Sequence, residues 1–213
     1  MASAVILVSG RGSNMRAIVE ARTGMEVRAV ISNRPEAPAL AWAGQHGIAT
    51  RTLDHREFDS REAFDERLAL EIERLHPDFV LLAGFMRIFT NQFVGRFERR
   101  MLNIHPSLLP AFPGLHTHRQ ALAAGAKLHG ATVHFVTAAL DNGPIVAQGA
   151  VPVLASDTEE TLAGRVLAVE HRIYPQAVRW LAEGRVEFVA PDVVQVRGSG
   201  VSTDWIVSPR NPE

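Results

Sequence analysis

Asn103 and His105 stand two residues apart at the end of an apolar run, in LNIHPSLLP. An amide and an imidazole are the usual side chains for stabilising an oxyanion and moving a proton. Successive strand residues point to opposite faces, so Asn103 and His105 share one face and Leu102 and Ile104 the other. Pro106 disfavours helical backbone at His105 and keeps it extended. Pro106, Pro110 and Pro113 then exclude regular structure beyond it. The chain has no G-x-S-x-G elbow and no cysteine, so covalent acyl transfer lacks a nucleophile. The chemistry expected at this strand end is direct transfer to a nucleophile brought by a substrate. Asp141, in LDNGP, fits two roles: a turn former whose carboxylate caps the backbone, or a partner that keeps His105 charged.

Four other stretches carry polar groups of interest. SGRGSN, Ser9 to Asn14, follows one apolar run and opens a helical one. It lacks the third glycine of a dinucleotide fingerprint and the Lys of a P-loop. Gly12, Ser13 and Asn14 at a helix N-terminus suit a monophosphate, although a tight turn with a polar cap reads the same. Glu170 lies on the stripe of Val166, Ile173 and Ala177 along a long helix. A carboxylate there is costly unless paired, by a ligand amine or by a nearby arginine such as Arg165 or Arg172. His116 and His118 sit in a loop without acidic or Cys neighbours, a poor metal set. GFMRIF, Gly84 to Phe89, places apolar bulk around Arg87, which suits an aromatic ligand with a carboxylate and equally an ordinary strand end.

These groups need a scaffold. The 213 residues are 46% hydrophobic and 21% charged, ordinary for one globular domain with a sizeable core. With 22 basic and 23 acidic residues the formal charge is -1, which does not favour a nucleic-acid partner. No apolar stretch approaches the ~18 residues of a membrane span, and MASAVILVSG lacks the basic start of a signal peptide. A cytoplasmic protein is expected. Strand and helix signals alternate: strands at 4–9, 27–32, 48–53, 79–83 and 101–104, with helices at 13–22, 37–46, 60–75 and near 91–99. That order predicts an α/β fold, a doubly wound, mostly parallel sheet with helices on both faces. A helix near 119–124 follows. Segments 132–136 and 145–153 flank a turn and predict an antiparallel hairpin extending the sheet. Ser156 and Glu159 read as a capping box for a helix reaching about Leu181. From Arg197 onward the composition reads as a loose tail.

Taken together, VSGRGSN, FDSREAFD, LLAGFMRI, LNIHPSLLPAFPGLHTH, VHFVTAALDNGPI and EHRIYP, in this order, resemble the folate-dependent glycinamide ribonucleotide formyltransferases of purine biosynthesis. NIHPSLLP alone marks the wider formyltransferase and hydrolase superfamily. The resemblance implies a Rossmann-like domain over 1–185, with a phosphate-binding half (1–100), a folate and catalytic half (101–185) and an extension over 186–213. It implies Asn103, His105 and Asp141 as catalytic residues, and Gly12, Ser13, Asn14 and Glu170 on the ribonucleotide. It implies Arg61, Met86, Arg87, Ile88, Phe89, Asn103, Thr137, Ala138, Ala139, Leu140 and Asp141 on the folate, with His116 and Thr132 in support. The implied cosubstrate is 10-formyltetrahydrofolate and the implied acceptor the amine of 5-phosphoribosylglycinamide, with no metal and with the protein a monomer or homodimer. Asn142 departs from the family, standing where a glycine is common. Formyltetrahydrofolate hydrolysis, formyl transfer to an aminoacyl-tRNA and non-catalytic binding of a phosphoribosyl ligand are the rival readings.

Overall fold

The computed structural model describes residues 1–200 and Ser208. Its main sheet comprises β1 (Ser3–Val8), β2 (Glu26–Ser32), β3 (Thr50–Thr52), β4 (Phe79–Leu82), β5 (Met101–His105), β6 (Leu128–Phe135) and β7 (Ile145–Pro152), in the order β3-β2-β1-β4-β5-β6-β7. Strands β1 to β5 pair in parallel. β6 runs antiparallel to β5, and β7 antiparallel to β6. The doubly wound sheet and its antiparallel extension are both present. Chain order runs outward from β1 to β3, then resumes at β4 on the other side of β1. The switch point therefore lies between the carboxyl ends of β1 and β4, where open α/β sheets bind ligands.

Among the described residues six α-helices cover the sheet: α1 (Ser13–Glu20), α2 (Pro38–Gln45), α3 (Arg61–Glu73), α4 (Asn91–Arg96), α5 (Thr117–Ala123) and α6 (Glu159–Ala182). All of β1 is buried, as a strand covered on both faces must be. Ala4, Ile6 and Val8 enter one core with Met15 and Ile18 of α1, Ala39 of α2 and Leu162, Val166 and Val178 of α6. Val5 and Leu7 enter the other with Phe64, Leu68 and Ile72 of α3 and Phe93 of α4. Each large side chain so buried contributes about 1.5–3 kcal/mol.

The long helix starts later than expected. Thr158, not Ser156, is the cap: its Oγ1 accepts from Thr161 N at 3.2 Å, and Thr161 Oγ1 accepts from Thr158 N at 2.9 Å. The reason is Asp157, whose carboxylate takes Leu154 N and the Arg165 guanidinium, each at 2.8 Å, and keeps residues 154–157 in a turn.

The extension after Gly184 opens with an antiparallel hairpin, β8 (Val186–Ala190) and β9 (Val193–Val196). Phe188 packs on Phe135 of β6 with ring centroids 4.7 Å apart, and the Arg99 guanidinium lies over Phe188. Most of the expected tail, 201–207 and 209–213, lies outside the described residues. Among the described residues no helix is long and apolar enough to cross a membrane.

Candidate active site

At the carboxyl end of β5, His105 is buried and both its ring nitrogens face acceptors. Nδ1 lies 3.4 Å from Asp141 Oδ2, and Nε2 donates to the Phe112 carbonyl at 3.1 Å. A doubly protonated ring satisfies both contacts at once. Asp141 reaches this position from the loop after β6 through left-handed backbone (φ 49°), and its Oδ2 also accepts from Gly114 N at 2.8 Å. An aspartate tolerates that conformation better than most residues. Two residues on, Gly143 admits no side chain, because a Cβ there would fall 1.8 Å from the Phe135 carbonyl oxygen. Asn142 has no left-handed backbone, so its position does not demand the glycine common in the family.

Sheet register brings two more side chains to the same face. Asn103 stands opposite His134, and His105 opposite Thr132. A register irregularity in the β6–β7 pairing falls at Val133 and His134, a device that re-aims side chains beside sites. His134 Nδ1 donates to the Phe135 carbonyl at 2.9 Å, leaving Nε2 to accept from Asn103 Nδ2 at 3.4 Å. Burial pushes the His134 pKa down and keeps the ring neutral, so it can act as that acceptor. His134 also lies 3.9 Å from Asp141 Oδ1. It escaped the sequence reading, yet a signal existed: Thr132-x-His134 repeats the period-2 spacing of Asn103-x-His105.

Thr132 holds the proline loop rather than a reacting group. Its hydroxyl donates to the Ser107 carbonyl at 2.7 Å and accepts from Leu109 N at 3.0 Å. Gln148 Nε2 reaches both Thr132 Oγ1 and the Leu109 carbonyl. His116 is exposed and turns the chain into α5 through left-handed backbone (φ 58°). His118 pairs with His129, Nδ1 to Nε2 at 3.2 Å, and not with His116. Burial lowers the pKa of both, that of His129 to about 4.

The glycine loop follows β1. Gly12 caps α1 in left-handed backbone (φ 72°), and a Cβ there would come within 2.6 Å of Ala39 Cβ. Only glycine permits both the turn and the close approach of α2. The first backbone N–H groups of α1 are left free for an anion. Glu170 of α6 is 8% exposed, and its Oε2 accepts from Asn14 Nδ2 at 2.6 Å. Burial raises the Glu170 pKa, and the Asn14 bond partly offsets that. Neither arginine considered from the sequence is its hydrogen-bond or ion-pair partner; Arg165 is engaged by Asp157. Asn14 Oδ1 is buried and unpartnered beside this carboxylate.

The 86–89 segment follows β4. Met86 and Ile88 are 70% and 62% exposed, whereas Phe89 is buried and stacks on Phe93 at 4.2 Å. The Arg87 guanidinium lies 4.8 Å from the Phe64 ring centroid. Arg61, at the start of α3, is exposed and lies 3.7 Å from Glu62. Burial raises the pKa of the nearby Asp65, while its bond from Thr90 and the charges of Arg87 and Arg61 lower it. Half-buried Thr137 and exposed residues 138–140 form a loop leading to Asp141, in which Thr137 Oγ1 donates to the Ala139 carbonyl. The structure thus gathers Asn103, His105, Thr132 and Asp141 at one strand end and Asn14 with Glu170 across the sheet, both at carboxyl ends of strands. The His116 side chain has no hydrogen-bond or ion-pair partner among the described residues.

An amide, an imidazole and a carboxylate thus meet at one strand end, with a glycine turn and a buried carboxylate at another, and the formyl transferase family matches residues 2–178. The chain belongs to the formyl transferase family. Among its relatives is the phosphoribosylglycinamide formyltransferase of Escherichia coli (strain K12), 52% identical over 187 residues, spanning 86% of this chain and 88% of that protein. The human trifunctional purine biosynthetic protein adenosine-3 is 43% identical over 190 residues, which span 87% of this chain and 19% of the human protein. The crystal structure of glycinamide ribonucleotide transformylase 1 from Symbiobacterium toebii aligns with a TM-score of 0.88 at 47% identity, over 92% of this chain and 94% of that one.

Proposed function

We propose that the chain transfers the formyl group of 10-formyltetrahydrofolate to the amine of 5-phosphoribosylglycinamide, a step of purine biosynthesis. The neutral amine attacks the formyl carbon, and the carbonyl oxygen becomes an oxyanion. Asn103, steadied by neutral His134, and a protonated His105 stabilise that charge. Asp141 balances the imidazolium. When the tetrahedral species collapses, the carbon–N10 bond breaks. The folate nitrogen gains one proton and the new amide has lost one, with His105 or a water as carrier. Gly12, Ser13 and Asn14 take the phosphate, and Glu170 takes the amine end of the same substrate. Arg61, Met86 to Phe89 and Thr137 to Asp141 form the folate side. No metal enters this mechanism. The same reading assigns the work to the cytoplasm, on small molecules and not on nucleic acid or membrane, by a monomer or homodimer.

The observation that carries the acceptor assignment is the buried Asn14–Glu170 bond. It joins an anion-binding loop to a carboxylate with no basic partner among the described ion pairs, and an acceptor with a phosphate and an amine satisfies both. The test is an absorbance assay of 10-formyltetrahydrofolate turnover with and without the ribonucleotide. Formyl loss is expected to depend on the acceptor; equal rates in both arms would make the chain a hydrolase instead.

A further inference from the structure

The two lips of the crevice at the switch point are tied together by one buried hydroxyl. Ser9, 4% exposed, follows β1 and begins the glycine loop. Its Oγ donates to Asn33 Oδ1 at 2.6 Å and accepts from Met86 N at 2.9 Å. Its own N–H donates to the Gly84 carbonyl at 3.1 Å. A hydroxyl has a single proton, and Asn33, 2% exposed at the end of β2, takes it. The oxygen lone pairs are thereby aimed at the Met86 amide. At its other end the same segment is held by a second buried acceptor, Asp65 Oδ2, which takes Thr90 N at 2.7 Å. Between these two anchors, residues 84–89 have no regular structure, and Met86 and Ile88 project into solvent. The segment is a short bridge with one foot on α3 and the other on the glycine loop.

The glycine loop runs without a break from Ser9 into the N-terminus of α1 and is tied to α2 on the way. The Gly10 carbonyl accepts from Ala39 N, and Gly12 abuts Ala39. A phosphate that settles on this loop therefore restrains Ser9, and Ser9 restrains Met86. Ligand binding that orders a segment spares the next ligand part of that ordering cost, which makes the two bind cooperatively. We propose that Ser9, oriented by Asn33, is a positioning residue that couples the two substrate sites: the phosphoribosyl substrate stiffens residues 84–89 and so tightens folate binding. This rests on the assignment of the two loops made under Proposed function. By linkage the folate tightens the ribonucleotide by the same factor.

The experiment titrates tetrahydrofolate, which has no formyl group to transfer, into the full chain with and without 5-phosphoribosylglycinamide, by calorimetry. In the unmodified chain the ribonucleotide is expected to tighten tetrahydrofolate by about fivefold, at the low end of typical couplings. In Ser9→Ala and in Asn33→Leu the factor should fall to within about twofold of unity. Ser9→Thr, which keeps the hydroxyl, should retain it. Asp65→Asn, which loosens the far anchor only, should weaken tetrahydrofolate in both arms and leave the factor intact. Hydrogen exchange supplies a readout separate from affinity. The ribonucleotide alone should slow exchange of residues 84–89 in the unmodified chain and in Asp65→Asn, but not in Ser9→Ala. A factor of one in the unmodified chain, or one that survives Ser9→Ala, overturns the coupling. If Ser9→Ala and Asp65→Asn both leave tetrahydrofolate affinity untouched, the folate assignment of the segment fails, and the coupling with it.

Discussion

Replacing Glu170 by Gln keeps the size of the side chain, removes its charge and separates two effects of opposite sign. On the ribonucleotide side, a hydrogen bond to a charged group contributes about 1.5–3 kcal/mol and a neutral one about 1. Losing that difference, about 0.5–2 kcal/mol, should lower kcat/KM for the ribonucleotide by about 2- to 30-fold, with folate affinity measured alone nearly unchanged. On the stability side, the carboxylate is buried, and burial is the larger influence on its pKa, ahead of the Asn14 bond that opposes it. A carboxyl group whose folded pKa lies above its unfolded value contributes most below the unfolded pKa, and its contribution falls as pH rises through the folded pKa. Glutamine has no such loss. The empty Glu170→Gln protein should therefore melt above the unmodified one at neutral pH, and the gap should narrow toward acid. For a chain of this size each kcal/mol corresponds to about 2–4 °C. Thermal unfolding from pH 5 to 8 and steady-state kinetics with each substrate varied complete the assay. A variant that melts lower at neutral pH, or that loses folate and ribonucleotide affinity alike, refutes the reasoning: Glu170 would then be holding the fold.

Asp141→Asn keeps a residue that accepts the left-handed backbone but removes the charge beside His105; kcat should fall at least about tenfold, about 1.4 kcal/mol, and a rate within about twofold of the original excludes Asp141 from the mechanism. Gly12→Ala puts a methyl group against Ala39 at a positive φ, so melting should drop by the equivalent of about 1–3 kcal/mol and ribonucleotide KM should rise more than kcat falls; unchanged KM would remove the loop from the phosphate site. His129, with its pKa lowered to about 4, resists protonation in the folded state. Between about pH 6.5 and 4 the unfolded chain binds the extra proton, so this residue makes stability fall with acidification by up to about 1.4 kcal/mol per pH unit. Denaturant unfolding of His129→Phe should show a flatter profile in that window, and an unaltered slope would show that other groups set it.

The parallel half of the sheet was readable because its strands are buried on both faces and announce themselves as uninterrupted apolar runs, as in Ala4–Val8 and Phe79–Leu82. β6 was harder. Its first residues include His129 and Gly130, which break the apolar pattern, and Gly130 is there because a Cβ would strike the Gly149 carbonyl of β7. The hairpin Val186–Val196 stayed hidden because its strands are short and half exposed, with Phe188 as the main anchor. In the site, spacing within one strand placed Asn103 and His105 together. The Asn14–Glu170 bond joins residues 156 positions apart. No local pattern could reveal it, and the arginines near Glu170 in sequence drew attention away. His134 was missed for a related reason: its value lies in the register between two strands, which only folding sets.

The sheet also has two outer edges, and each is a poor template for another chain. β3 is three residues long, and its Arg51 is exposed. β7 is longer, but Pro152 ends it and its pairing with β6 is irregular. Short or broken edges resist strand addition from neighbouring molecules. The fold thereby has built-in protection against fibrillar self-association. The centre of the sheet, where β1 and β4 hold the crevice, has both edges paired and offers neither to a second copy.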